Sequence, residues 1–328
     1  MSGKTRINWE RIIELAREEA ERYYSEQKSG ITLRGLFYIL VSKGYLPNTV
    51  SAYKRLSDVL ARERYEGRFP DYLISDVTRK FESLEVFEYY PQELSEEDLK
   101  REIEKMIESY ASYSINPWND QKHRVIIALE KEALFNVTKT WISELKVDEI
   151  AIGVYSLRCM KGFDSATDII RLSKTVKTLD EYNHIPVILV ISDFDPSGEE
   201  IFLDFQRRLY DLSNTPSLRI EKIMVTKDQI SAYNLPHTPE SEDEIAKLKR
   251  DTRFKKFHKQ HGLMRVEVDA MYSIIPEIAK QTLHQSILRY FDMETFKTKT
   301  LPRLESAQKE SKEVREKMKD KIAKMLKS

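Results

Sequence analysis

The feature that most constrains the fold is an alternation of short apolar runs with amphipathic segments between residues 123 and 225. Four runs are predicted as strands: HRVIIALE, DEIAIGVY, IPVILVISD and LRIEKIMV. The segments between them are predicted as helices: KEALFNVTKTWISEL, SATDIIRLSKTVKTLDEY and SGEEIFLDFQRRLYDL. Such alternation predicts a mostly parallel sheet with helices on both faces. Residues 119–290 are therefore expected to form an α/β domain with a helical appendage.

Three helical segments precede this alternation. The first covers residues 8–28, the second follows Thr32 and stops at Gly44, and the third is capped by Asn48 and stops at Gly67. Extended pieces follow, so the order predicts a winged helix-turn-helix over residues 1–94. The third helix would be the recognition helix, and the residues expected to contact DNA are Lys54, Arg55, Arg62, Arg64 and Arg68. The alternative is an ordinary charged helix, because Asp58 and Glu63 offset those charges.

The remaining segments are highly charged. Ser95 and the three acidic residues after it open a helix to about Tyr113, and Asn116-Pro117 ends it, which indicates a helical linker over residues 95–118. Residues 291–328 are predicted to form a charged helical tail, solvated or used as a partner surface.

Composition excludes several classes of protein. The chain has 328 residues, and its 54 Lys and Arg balance 54 Asp and Glu, so only a local basic patch could bind nucleic acid. A single cysteine, Cys159, excludes an intramolecular disulfide. No apolar run approaches eighteen residues and no apolar leader is evident, so a cytoplasmic protein without membrane contact is expected. No glycine-rich phosphate loop occurs.

Acidic residues gather where two strands of the predicted sheet end. Asp193 and Asp195 follow the most apolar strand, and Glu130 ends the first strand. The carboxyl ends of parallel strands meet at one edge, where ligands bind, and carboxylates suit Mg²⁺. The alternative for Asp195 is a helix N-cap before Pro196. For Glu130 alone, the alternative is a carboxylate in a first helical turn.

The motif of a strand with Glu followed by a strand with DxDPxG resembles the Toprim fold of topoisomerases, primases and some nucleases. Four longer stretches resemble the A subunit of DNA topoisomerase VI and its meiotic double-strand-break relative. They are Glu130–Phe135, Lys161–Asp164, Asp193–Gly198 and Met224–Pro236, with a weaker match at VEVDAM, Val266–Met271. The resemblance covers most of residues 30–290 and implies a winged helix followed by a Toprim domain.

The resemblance also implies a reaction and partners. The family cuts double-stranded DNA with a tyrosine in an Arg-acid-hydrophobic-aromatic-Tyr motif, which maps onto Arg34–Tyr38 and makes Tyr38 the nucleophile of a 5′-phosphotyrosyl link. Gly35 departs from the acidic residue usual there. Mg²⁺ on Glu130, Asp193 and Asp195, a homodimer, association with the nucleoid and a separate ATPase subunit are likewise implied.

Helical periodicity bears on Tyr38 independently of the resemblance. Leu33, Leu36, Phe37, Leu40 and Val41 form one apolar face, and Tyr38 falls well off its centre. Arg34 precedes Tyr38 by four residues on the same flank, where a guanidinium would favour phenolate and grip phosphate. The competing interpretation is that Tyr38 is one of 17 tyrosines at a domain contact. Tyr53, Tyr89 and Tyr90 have no comparable sequence context.

Two other functions stay open at this point. Asp193–Ser197 can be interpreted as the nucleophile motif of a haloacid-dehalogenase phosphatase, although that family opens on this strand and needs a later strand ending in paired acids. The chain can also be interpreted as a DNA-binding protein whose Toprim domain does not catalyse, for which Gly35 and the neutral net charge argue weakly.

Overall fold

The computed structural model describes residues 7–75, 97, 101–103, 105–106, 115–159, 166–238, 252–262 and 264–325. Contacts group the chain into two compact units. The first joins Met1–Arg79 to Lys122–Tyr290, and the second joins Lys80–Gln121 to Phe291–Ser328. The predicted division at residues 94, 118 and 290 stays a prediction, but the helical N-terminal segment and the sheet belong to one unit.

The first unit is built on a four-stranded parallel sheet. Its strands are β1 (His123–Leu129), β4 (Ser156–Cys159), β5 (Ile185–Ile191) and β6 (Arg219–Met224), in the order β4-β1-β5-β6. Ile126 lies between Ser156 on one side and Ile188 on the other. The apolar runs of β1 and β5 are buried from their second residue onward, which is why these two strands form the centre. The parallel sheet expected from the alternating pattern is confirmed.

Helices cover both faces of this sheet. On one face, α5 (Ala166–Glu181) and α6 (Pro196–Ser213) bury an apolar row against alternate residues of β1 and β5, such as Ile126 and Ile188. The intervening residues point to the other face and are equally buried. There α4 (Phe135–Glu144) contacts β4 and α10 (Pro276–Leu288) contacts β6.

The predicted position of the second strand, residues 148–155, is wrong. Residues 148–155 do not enter the sheet, because Asp148 and Glu149 adopt left-handed φ values of 48° and 63° and turn the chain back on itself. The result is a small antiparallel pair, β2 (Lys146–Val147) and β3 (Ile150–Ala151), and the sheet strand follows as β4. Because this turn reverses the chain, the strand that joins the sheet begins about eight residues later than predicted.

Three helices form the N-terminal part of the same unit: α1 (Trp9–Gln27), α2 (Leu33–Ser42) and α3 (Val50–Tyr65). Thr32 caps α2 as expected, accepting from the Gly35 amide at 2.9 Å. The N-cap of α3 is Thr49, one residue after the predicted Asn48. The side-chain amide of Asn48 instead donates to the His237 carbonyl. An isolated parallel β-bridge pairs Ile31, which precedes α2, with Ile74, which follows α3.

Three further helices complete the unit. They are α7 (Lys227–Tyr233), α8 (Thr252–His261) and α9 (Val268–Ile274). Helix α9 packs directly on α2, and the ring of its Tyr272 stacks on Trp141 of α4 with centroids 4.6 Å apart. Through these contacts α9 fixes the N-terminal helices against the layer under the sheet.

The described part of the second unit includes residues around Trp118, two helical turns (Met293–Thr295 and Phe296–Thr300) and the C-terminal helix α11 (Leu301–Met325). The ring of Trp118 meets Phe291 edge-on, and Asp120 accepts from Thr300 and pairs with Arg303. Residues 101–103 are helical, as predicted for the linker, and most of residues 95–113 lie outside the described residues. Among the described residues, no helix is long and apolar enough to cross a membrane.

Candidate functional site

Asp193 lies immediately beyond the end of β5, and both of its carboxylate oxygens have partners. Oδ1 accepts from the Val268 amide at 2.8 Å, at the start of α9, and Oδ2 pairs with Lys131 at 3.0 Å. The next residue, Phe194, forms an isolated antiparallel bridge with Val266. The segment that carries Glu267 and Asp269 is therefore held against the strand end by backbone and side-chain bonds together.

Lys131 is the cation that compensates these strand-end acids. Its ammonium group lies 3.0 Å from Asp193, 3.3 Å from Glu267 and 2.7 Å from Asp269. Burial lowers the pKa of Lys131, but Asp269, Asp193 and Glu267 together raise it well above its ordinary value. Burial raises the pKa of Asp269, whereas Lys131 and the Thr32 hydroxyl outweigh that effect and hold it low. Both groups are therefore charged at neutral pH.

The other two predicted metal ligands hold backbone groups. Glu130 accepts from the Asp193 amide at 3.0 Å, and Asp195 caps α6 by accepting from the Gly198 amide at 2.6 Å. The N-cap interpretation of Asp195 is thus confirmed. An added Cβ on Gly198 would lie 2.7 Å from the Asp193 carbonyl oxygen, so this turn requires glycine. Across the described residues, no three His, Cys, Asp or Glu side chains are arranged to hold one metal ion.

Charge repulsion nevertheless remains at this edge of the sheet. Burial raises the pKa of Asp193 to about 7, Lys131 opposes the rise, and Glu130 adds to it. Burial also raises the pKa of Glu130, and the Asp195 charge adds to that shift. A second cation, Lys222, donates to the Asp193 carbonyl rather than to its carboxylate. A third cation, Arg265, lies 3.9 Å from Asp195, so burial rather than a lack of nearby cations is the first cause of the raised pKa values.

Tyr38 lies off the centre of the apolar face of α2, yet it is not exposed. Its side chain is fully buried, because α9 covers the side of α2 that the apolar face leaves free. Burial and the Glu267 charge raise the phenol pKa, and the nearby Arg34 only partly opposes them. Within the described residues the Tyr38 hydroxyl has no hydrogen-bond partner of good geometry, although Thr238 lies beside it. In this arrangement Tyr38 is a protonated phenol.

Arg34 contacts a different tyrosine from the one expected. Its guanidinium carbon lies 4.1 Å from the ring centre of Tyr53, and its Nε pairs with Glu267 at 3.2 Å. Tyr53 in turn meets the Phe37 ring edge-on. The sequence context of Tyr53 did not indicate this contact with Arg34, and Tyr89 and Tyr90 lie outside the described residues.

Close packing explains why glycine occupies position 35. An added Cβ on Gly35 would lie 2.0 Å from the Ser273 hydroxyl of α9, so no larger residue fits without movement. Two acidic residues from a distant part of the chain lie near the start of α2. Glu267 pairs with Arg34, and Asp269 accepts from Thr32 at 2.5 Å.

The basic residues of α3 divide into two groups. Lys54, Arg55 and Arg62 are exposed, and Arg64 is half-buried. Arg68 forms a two-pronged pair with Glu63, with Nε–Oε2 and Nη2–Oε1 distances of 2.7 and 2.8 Å. Arg68 is thus engaged in holding the end of α3, whereas the three exposed cations remain on the surface.

Sequence reasoning missed the roles of Lys131, Glu267 and Asp269, although each lies in a stretch that carried the resemblance. A basic residue directly after the strand-end Glu130 was the available signal. Lys161–Asp164, another such stretch, lies outside the described residues. Comparison with family models, with curated proteins and with solved structures finds no match to this chain.

Proposed function

We propose that this protein is a DNA-cleaving transesterase of the topoisomerase VI A type, with Tyr38 as nucleophile and Mg²⁺ held by Glu130, Asp193 and Asp195. The observation that carries the proposal is a continuous chain of ion pairs from Arg34 through Glu267 and Lys131 to Asp193. This chain of ion pairs connects α2, the helix that carries Tyr38, to the acidic residues at the strand ends. A winged helix and a Toprim domain would be the corresponding parts of the fold.

The residues fit a divalent cation by their chemistry. Hard carboxylate oxygens are the ligands that Mg²⁺ takes, usually with water and phosphate completing the shell. The raised pKa values of Asp193 and Glu130 come first from burial, and a bound cation would favour the ionised forms of both groups. When bound, Mg²⁺ would supply electrostatic stabilisation of the phosphate undergoing attack.

The covalent step transfers one phosphate bond. The Tyr38 oxygen attacks phosphorus, the bond from phosphorus to the 3′ oxygen breaks, and that oxygen takes up a proton to become a hydroxyl. The phosphate stays linked to the 5′ side of the DNA through tyrosine, so the bond energy is retained. We assign to Glu267, whose charge acts on the Tyr38 phenol, the role of receiving its proton, and to Arg34 the role of cation for the phosphate.

The step requires Tyr38 to be uncovered first. Thr238, whose amide donates to the Arg265 carbonyl at 2.7 Å, lies against the hydroxyl, and the ring is fully buried. The arrangement described is thus a closed state, and DNA binding has to displace these contacts before cleavage.

The test is covalent capture of DNA. Duplex DNA labelled at its 3′ end is incubated with protein and Mg²⁺, stopped with detergent and run on a denaturing gel. A 5′-phosphotyrosyl link retains the 3′-labelled fragment on the protein and leaves the 5′-labelled fragment free. Tyr38→Phe should abolish retention, and Tyr53→Phe, which alters the neighbouring half-buried ring, is the matched control.

The outcomes separate the candidate functions. Adducts that survive in Tyr38→Phe would refute the nucleophile assignment. DNA binding without any adduct would favour a regulatory DNA-binding protein. Phosphatase activity lost in Asp193→Asn would favour the haloacid-dehalogenase alternative, against which stands the absence of acidic residues in Met224–Thr226 at the end of β6.

A further inference from the structure

A groove away from the strand-end acids lies between the end of α1, the turn Asp71–Leu73 and α4. It has a volume of about 520 Å³, within the range of ligand pockets, which is roughly 300–1,000 Å³. Its nine lining residues are aromatic, basic or small and polar, and none is acidic: Tyr24, Lys28, Ser29, Gly30, Tyr72, Asn136, Lys139, Thr140 and Ser143. We name it the Tyr24–Tyr72 groove.

The two tyrosines form an exposed aromatic wall. Their ring centres are 5.0 Å apart at an interplanar angle of 67°, and the exposed fractions are 38% for Tyr24 and 60% for Tyr72. Large aromatic side chains left in water at a concave site are unfavourable unless a ligand covers them. The open ring of Tyr72 offers a surface on which a planar group can stack.

The polar groups of the groove have capacity to bind a ligand. Among the described residues, Lys28 donates to the Ser25 carbonyl, and neither Lys28 nor the exposed Lys139 pairs with an acid. The Asn136 side chain is exposed on the same turn of α4. Two cations without acidic partners, beside a stacking surface and an amide, match a ligand with phosphates and a base.

We propose that the Tyr24–Tyr72 groove binds a strand of nucleic acid, with one base stacked on Tyr72 and the flanking phosphates on Lys28 and Lys139. This subsite is separate from the proposed cleavage chemistry and rests on the proposed function only for the choice of DNA. The groove would hold a strand whose base is unpaired, because a base inside a duplex offers no free face for stacking.

Binding is tested in EDTA, so that the result does not depend on Mg²⁺-dependent cleavage. The full chain is titrated against a fluorescein-labelled 20-nucleotide single strand and followed by fluorescence anisotropy. Tyr72→Ala should weaken binding roughly tenfold, as loss of one stacked base does. Lys28→Gln combined with Lys139→Gln should reduce the slope of log K against log salt by about 1.4.

Controls are taken from an exposed tyrosine and an exposed lysine outside the groove. Tyr182 is 72% exposed and Lys177 is exposed on α5, so Tyr182→Ala and Lys177→Gln should leave affinity unchanged. Photocrosslinking with 5-iododeoxyuridine should attach the strand to Tyr24 or Tyr72.

Equal affinity of Tyr72→Ala and Tyr182→Ala for the single strand would overturn the proposal, as would crosslinks confined to other residues. Tighter binding of a free mononucleotide than of the strand would also overturn it. Failure of the covalent capture assay in Mg²⁺ would leave this binding result intact, so the two proposals fail separately.

Discussion

The raised pKa of Asp193 makes the stability of the metal-free protein depend on pH. Its side chain is only 13% exposed, and burial next to Glu130 raises the pKa to about 7 from an ordinary value of 3.8. In the unfolded chain this aspartate loses its proton near pH 4. Between about pH 4 and pH 7 the folded state therefore holds more protons than the unfolded state, and its contribution to stability falls as pH rises.

The size of this effect follows from the shift. At 1.36 kcal/mol per pKa unit, a rise from 3.8 to about 7 corresponds to about 4 kcal/mol of destabilisation once Asp193 is ionised. Asp193→Asn keeps an oxygen to accept from the Val268 amide but carries no charge. We expect the variant to match wild type near pH 4 and to be the more stable protein at pH 8, by up to about 4 kcal/mol.

The assay is urea unfolding in EDTA at pH 5, 6, 7 and 8, compared between wild type, Asp193→Asn and Asp211→Asn. Asp211 lies exposed on α6, so its variant should follow the wild-type curve. The difference between Asp193→Asn and wild type cancels the titration of groups that do not interact with Asp193. Parallel curves for those two proteins from pH 5 to pH 8 would refute the reasoning.

Adding Mg²⁺ in place of EDTA in the same unfolding assay tests the metal site. A ligand that binds only the folded state stabilises it by about 2.7 kcal/mol at a hundred times its Kd. Mg²⁺ at pH 8 should therefore stabilise wild type and have a smaller effect on Asp193→Asn. An equal effect on both proteins would mean that Asp193 is not a ligand.

Four further predictions concern the surroundings of Tyr38 and the α3 surface. Lys131→Met leaves buried carboxylates without their cation and should cost roughly 3–5 kcal/mol in urea unfolding, whereas exposed Lys177→Met should cost little. Gly35→Asp, which restores the residue type of the resembling family, should destabilise by at least about 1–3 kcal/mol because its side chain meets Ser273. Arg55→Ala should weaken duplex binding without lowering Tm, and Arg68→Ala should lower Tm because it releases Glu63. A mixture of Tyr38→Phe and Asp193→Asn proteins, with subunit exchange confirmed, should nick DNA if each site is shared between protomers, and inactivity of that mixture would refute sharing.

The sheet was predictable where burial is strong. Strand β5 is apolar throughout and β1 is apolar from Val125 onward, and such runs are typical of central parallel strands. The edge strand β4 was not predictable, because SLRC is half-buried and carries Arg158, whereas the preceding IAIG is more apolar. Its position depends on the turn at Asp148 and Glu149, which periodicity does not register.

The proximity of the acidic residues could be predicted from the sheet topology, but the role of Lys131 as their cation could not. Parallel strands bring Glu130 and Asp193 to one edge, so their proximity needs no other information. The role of Lys131 depends on Glu267 and Asp269, more than 130 residues away, and on the bridge that holds their segment to Phe194. The same limit applies to Tyr38. A single helix shows which of its faces is more apolar, and only the packing of α9 shows that the other face is buried too.

A nucleophile that is buried and protonated has consequences for how cleavage would be controlled. If Tyr38 is the nucleophile, the energy that uncovers it has to come from DNA, since the free protein holds it closed. Arg34 is the residue through which this can occur, because its partner Glu267 is a carboxylate and an incoming phosphate competes for the same guanidinium. Moving Arg34 onto phosphate would remove one of the two cations that pair with Glu267 and so make Glu267 a better acceptor of the phenol proton. Cutting would then be coupled to correct seating of DNA, and a free protein would not react with stray phosphates.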